Sequence, residues 1–155
     1  GIYMHRAIDE YTDSHPQVII SKERLYSQFH KYAPVIVDMF YDHILAANWS
    51  DYSPIQLKSF TLGVYRSLES HKDTFPPSAA RFFEYMSTYD WLADYASYEG
   101  IGAALNGMAK RASFDSKMEQ STAVLEENIE DFHEDFKIFF PDLIAFSANW
   151  LKENE

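Results

Sequence analysis

Between Val35 and Trp49 runs an apolar segment, with Val35, Ile36, Met39, Phe40, Ile44 and Leu45 at helical spacing, that also carries Asp38, Asp42 and His43. Carboxylates are almost never buried without a partner. A helix of this kind must satisfy them with hydrogen bonds, a cation or solvent. Asp38 and Asp42 stand four residues apart and so share one helix face. The fold must therefore bury most of this helix while giving one stripe of it an outlet.

A second stripe lies at the start of the chain. His5, Asp9 and Asp13 follow one another at intervals of four on a helix predicted over residues 2–13, with Arg6 beside them. Two readings are open. In one, Asp38 and Asp42 face water or pair with Arg6 or Arg24, and His43 is a satisfied core histidine. In the other, the two helices hold a divalent ion between them. Carboxylate and imidazole donors suit manganese, magnesium or iron better than copper.

The rest of the chain reads as helix without a convincing strand. His15-Pro16 stops the first helix, because proline disfavours helical geometry in the residue before it. Ser21 is the expected N-cap of the next helix, which places Leu25, Phe29 and Tyr32 on one face. Pro34 kinks or restarts it. Ser53-Pro54 opens a helix to Ser70, and Asp73 to Ser78 is a loop. Residues 79–98 form one or two short helices, Glu99 to Gly102 break the pattern, and Ala103 to Arg111 resume it. A long helix is expected from Asp115 or Ser116 to Phe140, with Pro141 dividing it from a last helix ending near Lys152. At 155 residues this is one domain, all-α, over residues 1–155.

Composition excludes several functions. Cysteine is absent, so there is no disulfide framework and no thiolate metal site, which fits a cytoplasmic protein. The net charge of −11 argues against nucleic acid as a partner. No apolar run approaches the roughly 20 residues of a membrane span, and no cleavable leader is visible. The acidity is uneven: residues 115–155 hold eleven acids and three bases, so the front of the chain is left free to present a locally basic face with Arg6, Lys22, Arg24, Lys110 and Arg111. Arg6, Lys110 and Arg111 are anion-binding candidates, since guanidinium matches phosphate oxygens; the alternative for the last two is a helix end favoured by its dipole. Asn106-Gly107 is either a helix-end pair or a place of close approach to a ligand. Glu130-Asp131-Phe132-His133 shows a Glu-x-x-His pattern once, without the second copy a di-iron bundle needs, and reads as surface. No nucleophile elbow or Gly-rich phosphate loop appears.

Three blocks in order carry a resemblance: GIYMHRAIDEYTDSHPQV, then APVIVDMFYDHILAANWS, then LNGMAKR. Together they resemble the bacterial acyl carrier protein phosphodiesterases, with a His-Arg-x-Ile-Asp-x-x-Thr-Asp block, an Asp-x-x-x-Asp-His-x-Leu block and an Asn-Gly-Met-Ala block. The family is similar to the HD-type phosphohydrolases, which are all-α and use a divalent metal, usually manganese. The resemblance implies hydrolysis of the phosphodiester joining 4′-phosphopantetheine to a serine of holo acyl carrier protein. It implies His5, Asp9, Asp38, Asp42 and His43 as metal ligands, Arg6 and Asp13 as catalytic neighbours, and Asn106, Lys110 and Arg111 on the substrate side. Members carry a segment before the His-Arg block that supplies a further acid at the metal; these residues begin after it, so an incomplete site is expected. The competing expectations are an inactive helical interaction module, and a phosphohydrolase of the same class acting on another small phosphodiester.

Overall fold

The computed structural model describes residues 1–155 and contains helices and turns only. Nine α-helices follow one another: α1 Ile2–Ser14, α2 Pro16–Phe29, α3 Ala33–Ala47, α4 Leu57–Glu69, α5 Pro77–Tyr89, α6 Trp91–Asp94, α7 Tyr98–Arg111, α8 Ser121–Glu127 and α9 Ile129–Glu153. No helix is long and apolar enough to cross a membrane.

The predicted apolar helix is the centre of the molecule. In α3, Ile36, Val37, Phe40 and Ile44 are fully buried, and α3 packs against α2, α7 and α9. Phe40 meets Phe132 of α9 edge to face at 5.0 Å, a geometry that the ring quadrupole favours. Helix α1 lies across α2 and α9, with Tyr11 stacked on Phe146 at 4.2 Å. Helices α4, α5 and α6 form a looser outer layer that reaches α7 through α6.

His15 does more than end a helix. Its backbone is extended, its Nδ1 accepts from the Gln17 N–H, and Pro16 occupies the first turn of α2. It therefore ends α1 and caps α2 at once. The expectation of an N-cap at Ser21 is thereby corrected: Ser21 is fully buried in mid-helix, hydrogen-bonded to Tyr41 and Asp135. Pro34 does sit in the first turn of α3, as expected. Ser53 instead accepts from the Ile55 N–H in a turn, and α4 starts at Leu57. The long helix expected from Asp115 or Ser116 begins only at Ser121, after a 3-10 turn over Met118–Gln120, and is interrupted at Asn128, while α9 continues through Pro141. That proline forfeits one helical hydrogen bond; Phe139, Phe140 and Leu143 packing around it outweighs the loss.

Gly100 and Gly102 lie inside α7 and do not break it. A Cβ on Gly100 would stand 1.9 Å from the Asp94 carbonyl oxygen, so glycine is what lets α6 turn tightly into α7. Gly63, in mid-α4, has nothing within 4 Å of such a Cβ. Gly63→Ala should therefore stabilise by about 0.5–1 kcal/mol through helix propensity alone. Gly100→Ala should destabilise by about 1–3 kcal/mol despite the same propensity gain. Urea midpoints of the two variants check this; equal shifts in one direction would contradict the packing argument.

Candidate active-site cavity

Helices α1, α3 and α9 enclose an open cavity of ≈ 420 Å³. Asp9, Thr12 and Asp13 enter from α1, Asp38, Tyr41 and Asp42 from α3, and Phe136, Phe139, Phe140 and Leu143 form an apolar wall on α9. Helical periodicity explains the first two sets: on each helix the carboxylates repeat every four residues and so project in one direction. The aromatic wall is what the sequence left unassigned, because α9 also carries much of the acidic C-terminal charge.

Neither Asp38 nor Asp42 has an ion-pair partner; Arg24 binds Asp135 and Asp131, and Arg6 is exposed without a carboxylate. Asp38 titrates at about 6, raised by protein crowding and then by Asp13 and Asp9, with Lys22 opposing. Asp42 titrates at about 7, raised by crowding and by Asp38. Both remain water-accessible through the cavity mouth, which screens part of the shift; the direction follows first from partial desolvation and then from the neighbouring carboxylates, which Lys22 only partly offsets. Asp13 differs: Lys22, itself nearly buried, donates to its Oδ1 at 2.9 Å.

The imidazoles do not join Asp38 and Asp42. His5 is exposed, with Nε2 3.2 Å from Asp9 Oδ2. His43 is 4% exposed and turns toward α6 and α7, where its Nδ1 lies 2.8 Å from the Tyr95 carbonyl and its ring stacks on Tyr98 at 4.8 Å. A carbonyl only accepts, so Nδ1 carries the proton and Nε2 is bare. Burial lowers the pKa of His43 and keeps it neutral, against the raising effect of that bond. Adjacent residues on a helix point about 100° apart, and this separates His43 from Asp42. No group of three His, Asp or Glu side chains is arranged to hold a metal ion, so the five-ligand set His5, Asp9, Asp38, Asp42 and His43 is not assembled. The reading of His43 as a satisfied core histidine describes what the fold does with it.

Asn106, Lys110 and Arg111 are exposed on α7. Arg111 lines a separate cavity of ≈ 370 Å³ with Met39, Trp91, Tyr95 and Met108; none of the three residues opens on the carboxylate cavity. Lys22 and Arg24 are also removed from any basic docking face, each being committed to a carboxylate.

Beneath the cavity lies a network that no sequence pattern announced. Asp135, 2% exposed, accepts from Gln17 Nε2 at 2.6 Å, Ser21 Oγ at 2.7 Å and Arg24 Nε at 3.0 Å. Ser21 has one hydroxyl proton, which goes to Asp135. The 2.7 Å contact between Ser21 and Tyr41 is therefore a donation from the Tyr41 hydroxyl. Tyr41 stays a neutral phenol, pushed up to about 12 chiefly by burial. The chain Tyr41 to Ser21 to Asp135 ties α3, α2 and α9 together directly behind Asp38 and Asp42.

The sequence-family model described as acyl carrier protein phosphodiesterase matches residues 1–143. Proteins named acyl carrier protein phosphodiesterase from Salmonella paratyphi A (strain ATCC 9150 / SARB42) and Salmonella newport (strain SL254) are each 30% identical over 149 residues, 96% of this chain and 77% of theirs. No solved structure matches the chain. A family match across nearly the whole length, with the Asp9/Asp13 and Asp38/Asp42 stripes meeting at one cavity, leads to one conclusion: the chain belongs to the acyl carrier protein phosphodiesterase family.

Proposed function

We propose that this protein hydrolyses the phosphodiester between 4′-phosphopantetheine and a serine of holo acyl carrier protein, releasing apo carrier and free phosphopantetheine, in a cytoplasmic setting. The observation that carries the reading is the pair Asp38 and Asp42, without a cation of their own, facing Asp9 and Asp13 across one cavity. Uncompensated carboxylates of this kind fit a hard divalent cation in charge and donor type. Mn2+ is the ion proposed, with Mg2+ and Fe2+ as alternatives, held by Asp38 and Asp42. When bound, such an ion neutralises charge on the phosphoryl oxygens and acidifies a bound water.

The chain's own groups supply the remainder. Asp13, with Oδ1 fixed by Lys22, keeps its other oxygen to accept a proton from the attacking water. Arg6 lies one helical turn before Asp9 on α1 and offsets charge on the non-bridging oxygens. The water oxygen bonds to phosphorus, the bond from phosphorus to the serine oxygen breaks, and a proton returns to serine. Phe139, Phe140 and Leu143 give the cavity one apolar side.

The test is incubation of the protein with Mn2+ and holo carrier, followed by the mass of the carrier. Loss of the phosphopantetheine mass is expected, and an unchanged holo carrier defeats the reading. Independently, Mn2+ should raise the melting temperature in proportion to the logarithm of its concentration. A second reading, a helical interaction module without catalysis, is favoured by the lack of three converging ligands; a flat metal titration together with intact carrier would establish it. The exposed pair Lys110 and Arg111 in the last turn of α7 should steer an acidic carrier. Changing both to Glu is expected to weaken carrier binding about tenfold at low salt while leaving the metal-induced melting shift unchanged. Equal loss of both would show that they hold up the fold.

A further inference from the structure

We propose that the carboxylate cavity continues past Asp42 into an apolar recess that receives the branched alkyl part of the phosphopantetheine arm and selects for it; this rests on the hydrolysis reading above. Asp42 and Leu45 line both the carboxylate cavity and a neighbouring recess of ≈ 120 Å³ between α3, α4 and α6. The sequence accounts for this continuity. Asp38, Asp42, Leu45, Ala46 and Trp49 follow one another at helical intervals. One stripe of α3 and the turn after it therefore carries carboxylates first and carbon beyond them. Phe60 of α4 and Leu92 of α6 complete the recess opposite that carbon stripe.

The recess is lined chiefly by carbon, and the fold holds its walls in place. Trp49 Nε1 donates to the Ile55 carbonyl at 2.7 Å, and the Trp49 ring lies 4.7 Å from that of Phe60. Thr61 Oγ1 stands 3.1 Å from the Lys58 carbonyl and 3.3 Å from the Asp90 carboxylate. Tyr95 is tied through its carbonyl to the His43 Nδ1–H, so the buried histidine braces a wall of the recess. Size limits the occupant. An apolar cavity of about 150 Å³ admits a benzene-sized group, so this recess suits a small alkyl group and excludes a segment of the carrier. Of the two groups esterified to the phosphorus, the serine side is peptide. The pantetheine side carries two methyl groups on the second carbon from its ester oxygen. Those methyls can enter the recess while the phosphate stays with Asp38 and Asp42, because Asp42 borders both spaces.

The experiment compares holo carrier with the same carrier loaded with an arm that lacks the two methyl groups, at equal Mn2+. One missing methylene in a fitted apolar pocket costs about tenfold or more, so the wild type should favour the natural arm by at least about that factor in kcat/KM. Ala46→Leu fills the recess from its α3 side and should bring the ratio close to one, through loss on the natural arm alone. Phe60→Ala removes a partly exposed wall and should also lower the ratio. Melting curves establish that each variant is folded; if Ala46→Leu is not, Phe60→Ala decides. A wild-type ratio near one, or a ratio that no folded variant lowers, overturns the recess and leaves the hydrolysis reading standing. Wild-type protein that cleaves neither carrier removes that reading, and the recess falls with it.

Discussion

Asp42→Asn should reduce kcat/KM for release of apo carrier by about 10²–10³-fold while leaving the protein folded. The substitution removes one of two facing charges and keeps the side chain's size. Its second effect has the opposite sign. Asp38 and Asp42 titrate at about 6 and about 7 in the folded chain, above the ordinary 3.8, because crowding and mutual repulsion disfavour their charged forms. Between those values the folded chain binds protons that the unfolded chain has already released. Stability therefore falls as pH rises from 3.8 through about 7. The Asn variant escapes that loss. It should melt above the wild type at pH 8, and the difference should vanish as pH approaches 4. Added Mn2+ should narrow the gap at pH 8 by stabilising only the wild type. A variant that melts below the wild type at pH 8 without metal would mean that Asp42 has a structural partner, and the cavity would lose its standing as a site.

Asp135→Ala should lower the unfolding free energy by about 2–4 kcal/mol, the cost of leaving buried donors without their acceptor. Three donors, Gln17, Ser21 and Arg24, lose their acceptor. Arg24 is partly exposed and can turn to water or to Asp131, so Gln17 and Ser21 carry much of the penalty. Denaturant unfolding measures the loss. Ser21→Ala tests the connection to the cavity: it leaves Asp135 two of its donors but deprives the Tyr41 hydroxyl of its acceptor. Its stability loss should be smaller, at roughly 1–3 kcal/mol. A loss as large as that of Asp135→Ala would show that the Arg24 contact contributes little.

The helical character of the chain was legible because its apolar residues repeat at helical intervals and its prolines mark helix starts. Pro34 and His15-Pro16 were read for what they locally do. The two carboxylate stripes were legible for the same reason, since spacing by four determines a shared face whatever surrounds it. Boundaries were read less well where a long-range contact overrode a local preference. Ser21 has the chemistry of an N-cap, yet Asp135, distant in sequence, claims its hydroxyl. Gly100 looks like a helix breaker, yet it is the one residue type that fits under the Asp94 carbonyl. Pro141 looks like a divider, yet the aromatic packing of α9 on α1 and α3 carries the helix through it.

By itself, then, the sequence determined an all-α chain, two acid-bearing helix faces and the family to which their motifs belong, because each of these depends on residues a few positions apart. Tertiary structure decided which of those residues meet. Rotation of about 100° per residue sends His43 to Tyr95 while Asp42 faces Asp38's cavity, exposure of α1 leaves His5 with Asp9 alone, and the crossing of α2 by α9 creates the Asp135 network behind the site. Contacts between helices far apart in sequence set these outcomes, and no local spacing encodes them.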